Sequence, residues 1–175
     1  MRQFLICFTI IATLFCFSTA QSEDRTTKPE GFSGDFYALL LLIPEEEIDL
    51  FYKPEPPKVS LISEVECDEK FAVKVIIRGM SLGEDNIADV TFDMQMTKAD
   101  GKVSEISVHK DLPLYQGVVA VPENVYNNDA VPVITLEAGE PFGFYTIDVL
   151  VNDNIGKRSV ALSRQIELVS CSSVS

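Results

Sequence analysis

Apolar and polar residues alternate along much of this chain at a period of two. Tyr145, Ile147, Val149 and Val151 fall on one face of the stretch Gly143 to Asp153, and Asn154-Ile155-Gly156-Lys157 separates it from a second apolar run reaching Val169. A pleated strand imposes that period and an Asx-Gly break supplies a turn, so the pattern predicts a closing hairpin. Phe71, Val73, Val75 and Ile77 alternate with Ala72, Lys74, Ile76 and Arg78, which predicts a half-buried strand. Val90, Phe92, Met94 and Met96 repeat the pattern after the polar loop Gly83-Glu84-Asp85-Asn86. Ala99-Asp100-Gly101-Lys102 reads as a hairpin turn, its Asp-Gly pair providing the positive φ such turns need. Further strands are expected near residues 103–109, 116–121 and 131–136. In the last strand Val160, Leu162, Ile166 and Leu168 share a face with Arg164, which calls for a bulge or an inward carboxylate partner.

Upstream the pattern changes. Phe36 to Ile43 is a continuous apolar run of eight, suited to a strand buried on both faces, though a short helix has the same signature. Pro44 and Glu45-Glu46-Glu47 end it and open a helical turn, after which Ile48, Leu50, Phe51 and Tyr52 can fold back on the core. Lys53-Pro54-Glu55-Pro56-Pro57-Lys58 is stiff and extended. Residues 35–58 therefore read as an adaptor and Pro-rich connector ahead of a strand-rich body at 59–171. Residues 21–34 hold too little apolar area to offset ordering entropy and read as a flexible tail, and 172–175 as a disordered one. About seven short strands without a strong amphipathic helix predict an all-β fold. An immunoglobulin-like or fibronectin type III-like sandwich with an extra N-terminal strand and short helix fits best. Tyr145, shortly after a glycine at the start of the penultimate strand, resembles the tyrosine corner of such domains, whereas the lack of Trp argues against an antibody-type domain.

The N-terminus adds a compartment. Arg2, the apolar or small residues Phe4 to Phe17, and Ser18-Thr19-Ala20 make residues 1–20 a secretory signal peptide, too short to span a membrane. Removing it leaves 13 Lys and Arg against 27 Asp and Glu, a formal charge of −14. So acidic a chain repels phosphate backbones and anionic membranes, which excludes nucleic acid as an expected partner. The destination is secreted, with a bacterial periplasm favoured over the extracellular medium. Cys67 and Cys171 remain after cleavage. An even pair in an oxidising compartment suggests a disulfide, and a parallel pairing of strands at Val59–Val65 and Arg158–Val169 would place both at one end. Two free thiols at an edge and a terminus are the alternative.

Thr97-Lys98-Ala99-Asp100-Gly101-Lys102, the stretch Pro141 to Ile147, and Val151-Asn152-Asp153 with Gly156-Lys157 resemble the spacing in small secreted bacterial proteins with one immunoglobulin-like domain. That resemblance covers roughly residues 70–169 and implies the fold, but carries over no functional residue. Candidate chemistry is sparse. His109 is the only histidine, and no Gly-x-Ser-x-Gly elbow accompanies it, so a surface role is expected and no catalytic residue is assigned. Met80, Met94, Met96 and His109 are candidate soft ligands for copper, set against a simpler role for the methionines as core filler. Asn152-Asp153-Asn154 and Asn127-Asn128-Asp129 offer oxygen ligands for calcium but match no EF-hand loop and read as Asx turns. Glu45, Glu46, Glu47 and Asp49 read as a solvated face rather than hydrolase carboxylates. The expected role is therefore non-catalytic and free of cofactor: a binding or structural accessory module engaging a protein partner through a sheet edge or loops. A small-ligand or metal carrier is the competing class.

Overall fold

The computed structural model describes residues 27–121, 124–128 and 130–171, apart from the side chain of Ile106. Residues 1–20, expected to be a signal peptide, and 172–175, expected to be a disordered tail, lie outside them. Among the described residues ten strands follow one another: β1 (Glu30–Ser33), β2 (Phe36–Pro44), β3 (Glu64–Glu66), β4 (Lys70–Arg78), β5 (Ile87–Thr97), β6 (His109–Val118), β7 (Tyr126–Asn127), β8 (Val133–Thr135), β9 (Gly143–Asp153) and β10 (Arg158–Ser170). They form an all-β sandwich of two sheets. One runs β1-β2-β4-β7, with β8 also paired to β4, and the other runs β3-β10-β9-β5-β6.

The alternating faces read from the sequence meet between the sheets. Phe71, Val73, Val75 and Ile77 pack with Val90, Phe92, Met94, Met96, Tyr145, Ile147, Val149 and Val151 in one buried cluster. The predicted closing hairpin is continuous in register from Arg158↔Asp153 to Leu168↔Gly143. Arg164 meets neither expectation made for it. It sits opposite Ile147 with no register shift there, and its side chain has no hydrogen bond or ion pair among the described residues. Burial lowers the pKa of its guanidinium.

The run Phe36 to Ile43 is a strand buried on both faces, and it occupies the interior of its sheet rather than an adaptor position: β2 pairs with β1 on one side and β4 on the other. Leu40 and Leu42 enter the main core, while Leu41 and Ile43 join Ala72 on the reverse face under Ile48 and Phe51. Those two come from a 3-10 helix, Glu45–Tyr52, whose three first-turn carboxylates suit its N-terminal end. The reverse face of β4 is thus roofed rather than solvated. Lys74 is fully buried there, donating from Nζ to the Asn128 carbonyl at 2.7 Å and lying 5.0 Å from the Phe51 ring centroid. Residues 28–33, expected to be a loose tail, are ordered by backbone hydrogen bonds in place of apolar burial. β1 pairs with β2, and Lys28 and Ser163 exchange two bonds of 2.9 and 2.8 Å, stitching one sheet to the other.

One side chain closes an end of the sandwich. The Arg158 guanidinium uses all five of its donors: Nε to Asp153, Nη1 to the Ser33 carbonyl and Asp35, Nη2 to the Gly79 carbonyl and Ser81 Oγ. The Asp153 carboxylate, whose side chain has no solvent exposure, also accepts the Ser81 amide at 2.9 Å and the Gly156 amide at 3.0 Å. Gly79 is required here. Its φ is +68°, and a Cβ would collide with the Asp35 carbonyl. Burial pushes the Asp153 carboxyl up, but the two amides and Arg158 outweigh it and hold it below the usual carboxylate range.

At the opposite end β3 lies parallel to β10, pairing Glu64 with Glu167 and Val65 with Leu168. That parallel pairing brings Cys67 and Cys171 to a Cα separation of 4.6 Å, and they form a disulfide closing a span of 104 residues. β3 is shorter than the expected Val59–Val65 strand: the Ser63 carbonyl still accepts the Glu167 amide at 2.8 Å, but the Ile62 amide turns to the Leu42 carbonyl of the other sheet at 3.1 Å.

Two outcomes follow. Replacing both Cys67 and Cys171 by Ala should lower unfolding free energy by about 2–5 kcal/mol in urea titration. An unchanged midpoint would mean that the bridge constrains nothing. Asp153 contributes stability above its unfolded pKa of about 3.9, which is lost as pH falls through its lower folded value. Asp153→Asn should therefore cost about 3–5 kcal/mol at pH 7 and flatten the acid limb of the stability profile. An acid limb identical to wild type would place the titrating group elsewhere.

Candidate functional site

A cleft opens where the two sheets fail to meet along one side. β6 pairs with β5 only from Ile87↔Val118 to Met94↔His109, with register shifts on the way. Beyond Met94 the strand β5 has lost its neighbour on the β6 side, while β9 stays paired to it through Thr97. The turn at residues 98–102 forms as expected, with Gly101 at φ +83° and the Lys98 and Lys102 backbones bonded at 2.8 Å. The strand expected at 103–109 does not follow it. A single bridge joins Thr97 to Val103, and a short 3-10 helix, Glu105–Ser107, then spans the gap. Ser104 and Ser107 are buried, with their hydroxyls 3.4 Å apart and the Ser104 amide on the Met96 carbonyl at 2.8 Å. The Ser107 amide turns back to the Ser104 carbonyl at 3.1 Å, so the backbone closes a 3-10 turn here in place of a ladder.

The facing wall comes from the other sheet. β8 is held on β4 through Ile134↔Phe71, and the Val73 amide reaches the Pro132 carbonyl at 2.9 Å. Between these walls lies a volume of about 410 Å³, lined by Met94, Met96, Ser104, Ser107, His109 and Leu112 on one side and residues 130–136 on the other. Glu140 stands at one end, its carboxylate held by Lys98 Nζ at 2.8 and 3.0 Å. Tyr145 anchors that end. Its hydroxyl donates to the Pro141 carbonyl at 2.8 Å, the tyrosine-corner bond expected from the sequence. Burial, and then the Glu140 charge, push its phenol up to about 12.

Three of the four soft-ligand candidates are therefore gathered. Met94, Met96 and His109 line this cleft. Met80 does not line it; it precedes Ser81, whose amide binds Asp153, at the opposite end of the β5–β9 ladder where Val90 pairs with Asp153. His109 is half-buried on the edge strand rather than free on the surface, and it also borders a second groove of about 520 Å³ on the outer face of β5, β9 and β10, with Lys28, Asp93, Lys110, Asp148 and Leu150. The oxygen-rich loops are largely engaged within the fold, although Asn127 Oδ1 is buried without a hydrogen-bond partner among the described residues. Asp153 serves Arg158 and two amides, and the Asn128 side chain bonds the backbones of Val75 and Ala130, while Asp129 lies outside the described residues. Among the described residues no three His, Cys, Asp or Glu side chains converge to hold a metal ion. The acids after Pro44 serve local roles: Glu45 faces Lys70 at 3.5 Å and Glu47 accepts the Ser60 amide at 2.6 Å. Ser104, Ser107 and Glu140 were not anticipated, since nothing in their local sequence marks them as facing the methionines.

No protein-family model and no curated protein matches the chain. Among solved structures it is similar to a family 123 glycoside hydrolase from Clostridium perfringens, at 8% identity and TM-score 0.43 over 76% of this chain and 27% of that one. A Pseudomonas fluorescens alkylpurine DNA glycosylase gives 12% and 0.39 over 61% and 27%. A lytic polysaccharide monooxygenase from Streptomyces lividans gives 9% and 0.31 over 64% and 62%. The chain thus spans about a quarter of the length of the first two, and likenesses this distant assign it no activity. Among the described residues no helix is long and apolar enough to cross a membrane.

The tyrosine corner can be checked directly. Tyr145→Phe should cost about 1–3 kcal/mol at neutral pH by leaving the Pro141 carbonyl without its donor. Urea unfolding that gives the wild-type midpoint would show the bond to be idle.

Proposed function

We propose that this is a secreted, non-catalytic binding protein whose ligand enters the cleft between β5 and β8. The carrying observation is the cleft itself. At about 410 Å³, with apolar walls and a few polar groups, it has the size and lining of a small-ligand site. Secretion is supported by the signal peptide read at residues 1–20 together with the Cys67–Cys171 disulfide. A non-catalytic role is supported by the chemistry on the walls. His109 has no carboxylate partner among the described residues, and the Ser104 hydroxyl is engaged with Ser107, so no base is set to activate a nucleophile. The net acidity of the chain argues against nucleic acid as the ligand.

A protein partner is the second reading, favoured by the outer-face groove and by Phe142, Phe144 and Leu150, which are exposed. Such a partner would not add a strand to β6. Edge strand β6 carries Pro113, two register shifts and Asp111 at φ +53°, all of which obstruct pairing with an incoming strand.

Titration with the neutral dye N-phenyl-1-naphthylamine, followed by amide chemical shifts, separates the two. Saturable binding with shifts confined to Met94, Met96, Ser104, His109 and residues 133–136 is expected. Shifts confined to Asp93, Asp148, Leu150 and Ala161, or no binding, would overturn the cleft reading.

A further inference from the structure

We infer that the cleft is a site for a single copper(I) ion, held by the thioethers of Met94 and Met96 and the imidazole of His109. This rests on the cleft being the binding site and names what it takes. The placement comes from strand pairing. Met94 and His109 are Cα partners across β5 and β6, just past the register shift that follows Phe92, and both line the cleft. Met96 is two residues further along β5, hence on that face again, and all three line the same opening. Met94 and Met96 are 2% and 3% exposed, so their sulfurs are screened from water, while half-buried His109 stands at the rim where an ion would enter. Methionine has three rotatable bonds, which lets both sulfurs turn to a common point without moving the strand.

The donor set selects the ion. Thioethers are soft ligands that favour copper(I), imidazole suits it as well, and hard cations prefer carboxylate and carbonyl oxygen. The one carboxylate on the walls, Glu140, is neutralised by Lys98. Thiolates, the other soft donors, are consumed among the described residues by the Cys67–Cys171 disulfide, whereas thioethers persist in an oxidising compartment. Met80, remote from the cleft, supplies an internal control.

The test is anaerobic competition for copper(I) against bicinchoninate, using the mature chain. Wild type should withdraw one equivalent. Met94→Leu and Met96→Leu conserve volume and so keep the fold. Each should weaken binding by at least about tenfold, since even groups that merely orient a ligand are worth that much. His109→Ala should do the same, and Met80→Leu should match wild type. X-ray absorption of the loaded protein should show two sulfur scatterers. Failure to withdraw copper, or equal loss in Met80→Leu and Met94→Leu, would overturn the assignment. The dye titration then distinguishes what has failed: cleft binding that survives condemns only the metal, and its absence condemns the cleft as well.

Discussion

The Arg158 guanidinium holds together the end of the sandwich from which the rest of the architecture is aligned. Five acceptors from the β1–β2 turn, the end of β4 and the end of β9 converge on one planar cation, so both sheets are tied to a single rigid fork. The arrangement is self-consistent only because its acceptors are in turn fixed. Asp153 takes two backbone amides besides the arginine, and Gly79 has no side chain to obstruct the approach. A buried ion pair gains little over a well-packed apolar contact, but removing one partner leaves an uncompensated charge. Its contribution is geometric: it sets the ends of β4, β9 and β10 against one another.

With both ends secured, by the arginine at one and the disulfide at the other, the side between β5 and β8 can remain open. β6 stops pairing at Met94 and a buried serine turn takes over, leaving Met96 without a β6 partner. Core filler and candidate ligand are the same residues here. Met94 and Met96 belong to the central cluster and also wall the cleft, so packing and binding draw on one set of side chains.

How legible this was depends on range. Alternation along β4, β5, β9 and β10 was visible because the pleat imposes it residue by residue, and the turns at Gly101 and at residues 154–157 because their chemistry is local. The buried run from Phe36 was visible as a strand, but its position was not. A hydrophobic run reports that both faces are covered without saying by what, so β2 looked like an adaptor although it is the inner strand between β1 and β4. Lys74 shows the converse: its charge marked an exposed face, and the Phe51 roof and Asn128 carbonyl buried it. Arg164 was recognised as facing inward, yet neither the bulge nor the carboxylate expected for it is there.

By itself the sequence determined an all-β fold, its closing hairpin and the tyrosine corner, because strand period, turn residues and i to i−4 bonding are short-range consequences of residue type, whereas the Cys67–Cys171 bridge it only suggested, since the parallel pairing of β3 with β10 brings those residues together across 104 positions. Only the tertiary structure decided that Arg158 is the clasp, that β2 is interior, and that Met94, Met96 and His109 share a cleft while Met80 does not. Those facts depend on which strands become neighbours and in what register, and a one-residue shift would turn the same side chains to the opposite face.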